Sequence, residues 1–189
     1  MSSITTKNGD TGETRLYSGE TVSKKSRRIW ACGDIDELVS MLGVAYNVCC
    51  NTPTTDGNAY LIHLMEEITY IQRKLFIVAS EIATLEPKLS KLKDHIDEAT
   101  MYHLDAARDS LENSFDLPKG FILPGGTQVS SYLDVCRAMS RRCERTITDL
   151  YNEGFISNKY LLMWMNRLSD YLYLLARYSE QGNYRMVKE

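Results

Sequence analysis

Residues 60–85 read YLIHLMEEITYIQRKLFIVASEIATL, and this stretch decides the class of the fold. Its apolar residues recur every three or four positions, which is the spacing of one face of an α-helix. Pro87 follows, and proline disfavours helical backbone in the residue before it. The stretch therefore predicts a long amphipathic helix that buries one stripe of side chains. The stripe comprises Leu61, Leu64, Met65, Ile68, Ile71, Leu75, Phe76, Val78 and Ala79.

Four more helices are indicated on either side of this one. Asp34, with Glu37 three residues later, has the pattern of a capping box, so the first helix is expected to begin there. Thr127 and Ser157 are placed to cap the last two helices, and Gly182 is placed to end the final one. The four helices run from Asp34 to the loop after residue 49, over 89–114, from the Thr127 cap to 152, and over 158–181.

The rest of the chain consists of connections. Residues 1–32 lack a sustained helical period and predict an ordered loop, and Phe121–Leu123 predicts a short extended piece before Pro124. With almost no strand, the pattern predicts an all-α fold, an antiparallel five-helix bundle. We expect one domain in two parts: an N-terminal loop over residues 1–32 and a helical bundle over residues 33–189.

Composition and charge exclude several classes of protein. The net charge is −3, so no global basic field favours nucleic acid. Residues 1–30 nevertheless carry six basic and three acidic side chains, or +3, which suits either a local anion site or a solvated tail. No apolar run reaches the roughly 20 residues of a membrane span, and no leader pattern opens the sequence, so we expect a cytoplasmic protein. The five cysteines form no CxxC, which favours reduced thiols over disulfides or structural zinc.

The first candidate site is the glycine-rich segment Thr6-Lys7-Asn8-Gly9-Asp10-Thr11-Gly12-Glu13-Thr14. Two glycines three residues apart let backbone N–H groups approach an anion, and lysine and threonine side chains add donors. The segment is not a Walker loop, because no G-K-[ST] follows and no strand precedes it. A flexible leader is the alternative.

Two polar groups on the predicted helices are further candidates. Arg137 and Arg141 are four residues apart and share a helix face, with Glu144 nearby. Such an arginine pair suits carboxylates or phosphates, or else surface ion pairing. The segment Asn166–Asp170 places polar residues inside an apolar helix, where they require either a hydrogen-bond network or a ligand.

The remaining candidates are an acid, an aromatic residue and a metal site. Asp36 is either functional or merely solvated. Phe121 is either a core residue or a wall for a flat macrocycle. The three histidines are scattered, no E-x-x-H or H-E-x-x-H is present, and we therefore predict no di-iron or zinc site and no protein metal ligands.

At these same places the sequence resembles the PduO-type ATP:cob(I)alamin adenosyltransferases. The matching pieces occur in the family's order and span nearly the whole chain, so the ordered set is specific although each piece alone is weak. The sequence departs from the family's usual pattern at Val39 and at Trp30. The matching pieces are Thr6–Thr14, Val22–Lys24, Gly33–Leu38, Ile71–Phe76, Phe121–Gly126, Arg137–Arg145 and Asn166–Asp170.

The resemblance implies a five-helix bundle that forms a homotrimer, with ATP and its Mg²⁺ bound between subunits and cobalamin as the second substrate. It implies catalytic roles for Asp36, Arg137, Arg141 and Phe121: Asp36 pairs across the interface with Arg137, and Phe121 contacts the lower face of the corrin. The ATP contacts it implies are Thr6, Lys7, Gly9, Asp10, Gly12, Thr14, Lys24, Arg28, Arg141, Glu144 and Asn166.

The implied reaction transfers the 5′-deoxyadenosyl group of ATP to the cobalt of cob(I)alamin and releases triphosphate. Cobalt(I) is itself a strong nucleophile, which explains why no nucleophilic triad is legible in the chain. The chain has no redox motif, so we expect a separate cob(II)alamin reductase and a B12-dependent enzyme as partners. A bundle that senses ATP or escorts cobalamin without turnover is the alternative.

Overall fold

The structure is a computed structural model that describes residue 7, residues 9–53 and residues 59–187. The predicted ATP contact Thr6 therefore lies outside the described residues. Most of the chain is helical, as predicted. The elements are β1 (Glu13–Arg15), β2 (Thr21–Ser23), α1 (Arg27–Asn51), α2 (Ala59–Ile82), a short 3₁₀ helix (Glu86–Lys91), α3 (Glu98–Glu112), α4 (Gln128–Asn152) and α5 (Lys159–Ser179).

The helices pack side by side around one core, with α4 between α1 and α5. Helix α2 lies against α1 and also contacts α5, and α3 lies against α5. The predicted stripe of α2 faces this core: Leu64, Ile68 and Leu75 are fully buried, whereas Phe76 is exposed. Burying one such aliphatic side chain contributes about 1.5–3 kcal/mol. Truncating Leu64 to alanine would cost roughly 2–5 kcal/mol, since a cavity remains.

The predicted start of the first helix is wrong. Helix α1 begins at Arg27 with Ser26 as its N-cap, so residues 27–32 are helical and the predicted boundary at residue 33 falls inside α1. Asp34 is an interior helical residue whose carboxylate accepts a hydrogen bond from Thr146 at 2.8 Å. The apolar face simply continues backwards, because Ala31 is buried one turn before Ile35.

The start of α3 also differs from the prediction of a helix over residues 89–114. The short 3₁₀ helix contains Pro87 as its second residue. Helix α3 begins at Glu98 after the N-cap Asp97, which accepts from the backbone N–H of Thr100 at 2.8 Å. The connection between the two helices is held by a residue distant in sequence. The N–H of Ile96 donates to the buried carboxylate of Glu81 at 2.6 Å.

The last two helices follow the predicted pattern closely. Thr127 caps α4 in a capping box with Ser130. Asn158, one residue after the predicted Ser157, caps α5 through the N–H of Tyr160 at 3.0 Å. Gly182 has φ +83° just after α5 ends, a conformation that suits glycine. No helix within the described ranges combines the length and the apolar character needed to cross a lipid bilayer.

Two extended pieces complete the fold. Strands β1 and β2 form an antiparallel hairpin, which corrects the expectation of a plain loop over residues 1–32. The predicted extended piece at Phe121–Leu123 is present and pairs with the end of the described chain. There, the N–H of Leu123 donates to Arg185 at 2.6 Å, and the N–H of Val187 donates to Phe121 at 2.9 Å.

Candidate functional site

Residues 9–12 of the glycine-rich segment form a turn that contacts Lys24. The N–H of Lys24 donates to the carbonyl of Gly12 at 2.9 Å, and its Nζ donates to the carbonyl of Gly9 at 2.7 Å. Gly12 has φ +83°, which favours glycine. The structure therefore brings Lys24 to the predicted phosphate-binding segment, together with the exposed residues Lys7 and Asp10.

Two other residues of this region have local structural roles. Thr14 is paired with Val22 in the hairpin. Arg28 is buried, and its guanidinium donates to the carbonyl oxygens of Ile82 at 2.5 Å and of Phe155. Burial lowers the pKa of Arg28 from its ordinary value, but these carbonyl partners use its donors. Arg28 thus joins the start of α1 to the end of α2, and its contact with ATP stays a prediction.

Helices α4 and α5 place three predicted site residues, Arg141, Glu144 and Asn166, at a similar height along the bundle. The Nδ2 of Asn166 donates to Oε1 of Glu144 at 2.7 Å. Arg141 lies three residues before Glu144 on α4 and is exposed. The carboxylate and amide are thus held across the α4–α5 contact, and an exposed guanidinium lies beside them. Arg141 offers an anionic group of a ligand positive charge and hydrogen-bond donors, whereas the carboxylate of Glu144 can accept from a donor group of the ligand.

The predicted pairing of Asp36 with Arg137 does not form within one chain. In the α1–α4 contact, Glu37 pairs with Arg142 and Asp34 is 3.5 Å from the same arginine, so Asp36 is level with residues 143–144. Arg137 lies six or seven residues earlier, roughly 10 Å away along the axis. Asp36 is exposed. A pairing of these two residues therefore requires a second copy of the chain.

Arg137 has a partner that the sequence analysis did not single out. Its Nε lies 3.3 Å from Oδ1 of Asp134, three residues earlier on α4. Spacing alone could have indicated this pair, because residues three apart are neighbours on a helix. The second cation on the same carboxylate is Arg177 of α5, at 2.7 Å, and no local sequence signal predicts that contact.

Phe121 lies on the surface, so its interpretation as a core residue is excluded. Its side chain is 88% exposed, and the preceding Gly120 has φ +138°. In one chain, Phe121 precedes α4 whereas Lys24 lies near the opposite end of that helix. The 25 residues of α4 span on the order of 35 Å. The two ends of the predicted site are thus far apart within a single copy.

Comparison with known proteins matches the chain to one family over most of its length. The family model described as "Cobalamin adenosyltransferase" matches residues 4–179. A corrinoid adenosyltransferase of Citrobacter freundii is 31% identical over 95% of this chain and 96% of its own length. The corrinoid adenosyltransferase MMAB of Homo sapiens is 34% identical over 97% of this chain and 72% of its own length.

Solved structures agree in fold as well as in sequence. One is a variant of the PduO-type ATP:corrinoid adenosyltransferase from Lactobacillus reuteri, complexed with cobalamin and ATP. It superposes with a TM-score of 0.85 at 32% identity and covers 99% of this chain and 97% of its own. These matches define an enzyme of the adenosyltransferase class. The chain belongs to the cobalamin adenosyltransferase family.

Proposed function

We propose that this chain transfers the 5′-deoxyadenosyl group of ATP to the cobalt of cob(I)alamin and forms adenosylcobalamin. The observation that carries the proposal is the cluster of Arg141, Glu144 and Asn166, whose α4–α5 contact is held at 2.7 Å. It occurs in a chain that is 32% identical to an enzyme complexed with both substrates. Because the cluster combines an exposed guanidinium with an ordered carboxylate and amide, it suits a nucleotide: the guanidinium can bind a phosphate, and the carboxylate can accept from a donor group of the ligand.

The chemistry requires positioning and charge rather than a protein nucleophile. The electron pair of cobalt(I) attacks the 5′ carbon, the cobalt–carbon bond forms, and the carbon–oxygen bond breaks as triphosphate leaves with its electron pair. Placing cobalt in line with that carbon lowers the entropic cost of the step. Lys24, which is held by the turn at Gly9–Gly12, and Arg141 stabilise the charge that develops on the leaving group.

A second copy of the chain would complete this site. Lys24 and Phe121 lie near opposite ends of α4 in one copy, whereas the reaction requires triphosphate and cobalt on either side of one carbon. Asp36 is exposed on α1 and Arg137 is about a third exposed on α4, so each is accessible to the other residue in a neighbouring copy. The exposed side chains of Trp30 and Val135 add apolar surface on the same two helices. We therefore propose a homotrimer with ATP between subunits.

Phe121 would form the corrin-facing wall. An exposed aromatic side chain on an extended segment that pairs with the last described residues presents a flat apolar surface. Such a surface disfavours a polar ligand on the lower face of cobalt. Removal of that ligand raises the cobalt(II) potential, which favours reduction to the nucleophilic cobalt(I) state.

The Mg²⁺ predicted as a cofactor would arrive with the nucleotide. Within the described ranges, no group of three His, Cys, Asp or Glu side chains is arranged to hold a metal ion. Mg²⁺ commonly binds through substrate phosphates with one or two carboxylates, and this requirement fits a site that has phosphate-binding groups and the carboxylate of Glu144 beside Arg141. The ion would supply charge neutralisation on the phosphates, while the chain's own residues position them.

The partners and compartment follow from the same chemistry. A separate reductase would supply the electron that converts cob(II)alamin to cob(I)alamin, and a B12-dependent enzyme would take the product. We place the reaction in the cytoplasm, because all five cysteines are unpaired and unpaired thiols are typical of reducing compartments. Burial raises the pKa of Cys136 and Cys143 to about 12, so both thiols stay protonated and unreactive.

A direct assay separates this enzyme from an ATP sensor or a cobalamin escort. Purified protein is incubated anaerobically with ATP and chemically reduced cobalamin, and the absorption spectrum is followed. We expect the spectrum of adenosylcobalamin to appear, together with one equivalent of triphosphate. Omission of ATP is the control. Binding of both ligands without spectral conversion would favour the sensor or escort.

A further inference from the structure

A buried cluster of charges joins the ends of α4 and α5. Arg177 is 1% exposed, and its Nη2 lies 2.7 Å from Oδ2 of Asp134. Glu180, also 1% exposed, has Oε2 at 3.1 Å from Nε of the same arginine. The guanidinium of Arg177 also lies over the ring of Tyr173. Arg177 is therefore fixed from several sides and has no freedom to reach a ligand.

Asp134 connects this buried cluster to the surface. Its Oδ2 binds Arg177, while its Oδ1 lies 3.3 Å from Nε of Arg137, whose side chain is 32% exposed. Among the described residues, the side-chain contact of Arg137 is this one through Nε, and the side chain stays partly exposed to solvent. A guanidinium held this way has a defined orientation and keeps two donor groups for another carboxylate.

The same cluster contacts the loop that carries Phe121. A Cβ atom on Gly126 would lie 2.6 Å from Oε1 and 2.8 Å from Cδ of Glu180, so glycine is required for this close approach. Glu180 also closely precedes the segment that pairs with Phe121. The cluster therefore touches both the arginine face of α4 and the base of the Phe121 loop.

We propose that Asp134 and Arg177 are positioning residues that set the orientation of Arg137, and that Glu180 holds Arg177 in place. The proposal rests on the proposed function of Arg137 at the subunit interface. Burying charge is costly, and replacing a buried ion pair by apolar residues is often neutral or stabilising. Asp134 binds the buried Arg177 through one carboxylate oxygen and the surface residue Arg137 through the other. This arrangement fits a role in orienting Arg137 rather than in stability alone.

A double-mutant cycle tests the proposal. The variants are Asp134→Asn, Arg137→Ala and the combination, and the measured quantity is kcat/KM for ATP with saturating cob(I)alamin. A misplaced site group costs about ten- to a hundredfold in rate, and we expect a loss in this range for each single variant. In the Arg137→Ala background, we expect Asp134→Asn to change kcat/KM by less than about twofold, because residues that act as a unit are not additive. Losses that multiply would overturn the proposal.

Controls separate positioning from folding. Glu81→Gln also neutralises a buried carboxylate, which accepts from Ile96 and Asn158 and touches none of the proposed site residues. We expect it to lower the melting temperature as Asp134→Asn does but to leave kcat/KM near the parental value. An equal loss of kcat/KM in Glu81→Gln would overturn the positioning role.

A second cycle covers the case in which Asp134→Asn does not fold. Arg177→Lys keeps the charge but loses the fork that spans Asp134 and Glu180. We expect it to lower kcat/KM in the parent and to have no further effect in Arg137→Ala. If the losses in kcat/KM multiply in the double variant, the proposal is again contradicted.

The failure of the proposed function and the failure of the positioning role can be told apart. If the parent forms no adenosylcobalamin, the proposed function fails. If the parent is active and the effects in both cycles are additive, only the positioning role fails.

Discussion

The Nζ atom of Lys24 lies 2.7 Å from the carbonyl oxygen of Gly9, fifteen residues earlier in the chain. A Cβ atom on Gly9 would lie 2.8 Å from that Nζ and 3.1 Å from Cε. Gly9→Ala should therefore displace the lysine tip, which is flexible, without unfolding the hairpin. We expect KM for ATP to rise, by up to about tenfold for a weakened charge-assisted contact, at little change in melting temperature. Steady-state kinetics measure KM for ATP, and thermal unfolding measures the melting temperature.

Gly19→Ala is the matched control for this variant. Gly19 has φ +97° and has nothing within 4 Å of its Cβ position, so alanine there strains the backbone without touching Lys24. We expect a cost of about 1 kcal/mol in stability and a parental KM for ATP. If Gly19→Ala raises KM as much as Gly9→Ala does, the close approach to Lys24 is not the cause.

The fold could be predicted wherever a helix carries its own signals. The stripe of α2, the Thr127 cap of α4 and the end of α5 at Gly182 are all local patterns. The start of α1 could not be predicted from Asp34, because its carboxylate is used across the bundle by Thr146. The start of α3 was missed for a similar reason, since the segment before it is held by Glu81 on α2.

The residue types of the candidate site could be predicted from the sequence, whereas most of the contacts that these residues make could not. Arg141, Glu144 and Asn166 were identified from spacing and resemblance, and the structure brings Glu144 and Asn166 into contact. The burial of Arg28 could not be predicted, because a basic residue near a glycine-rich segment looks accessible in sequence. Its burial against carbonyl groups of α2 and of the α4–α5 loop depends on packing that no local pattern encodes.

The hairpin is fastened to the 3₁₀ helix by a pair whose strength should depend on pH. Lys88, and then Ser18, hold the pKa of Glu20 at about 2, below its ordinary value of 4.5. A lowered pKa in the folded state means that the pair stabilises the fold above about pH 4.5. That contribution is lost as the pH falls from there towards 2. We expect Glu20→Gln to lower the urea midpoint at pH 7 and to match the parent near pH 2. If the difference in urea midpoint between the parent and Glu20→Gln stays constant from pH 7 to pH 2, the pairing of Glu20 with Lys88 is contradicted.

Asp36 provides the test of assembly. Asp36→Asn should weaken a pairing with Arg137 of a neighbouring copy, at roughly 3–5 kcal/mol if the pair is fully buried and less if water reaches it. We expect lower kcat/KM and a shift towards smaller species in sedimentation at micromolar concentration, with partial recovery in Asp36→Arg combined with Arg137→Asp. Asp149→Asn, at an exposed position of α4, is the control. A fully active monomeric parent would refute the trimer.

Phe121→Ala tests the corrin-facing wall. The side chain is 88% exposed, so its removal should leave the melting temperature nearly unchanged. We expect adenosylation of cob(II)alamin supplied with a reductase to fall much more than ATP binding does. The decisive measurement is the absorption signature of four-coordinate cob(II)alamin in the presence of ATP. Phe155→Ala, which removes an exposed aromatic side chain beyond the opposite end of α4, serves for comparison. If Phe121→Ala shows an undiminished four-coordinate signature, Phe121 does not form the corrin-facing wall.

Lys24 and Arg141 should differ in how their loss affects catalysis. Lys24 is a flexible point charge beside the glycine turn, suited to the terminal phosphates. Arg141 is a fork on the rigid helix α4, suited to the charge that develops as triphosphate departs. Lys24→Ala should therefore act mostly on KM for ATP, whereas Arg141→Ala should also lower kcat.

The size of both effects follows from the loss of a charge-assisted contact, roughly 1.5–3 kcal/mol or about ten- to a hundredfold. Arg145→Ala removes an exposed arginine one turn further along α4 and should leave both constants near their parental values. Steady-state kinetics with saturating cob(I)alamin distinguish the three variants. Parental kcat and KM in both Lys24→Ala and Arg141→Ala would mean that neither residue binds the nucleotide, because a contact to the leaving triphosphate cannot be lost without affecting one of the two constants.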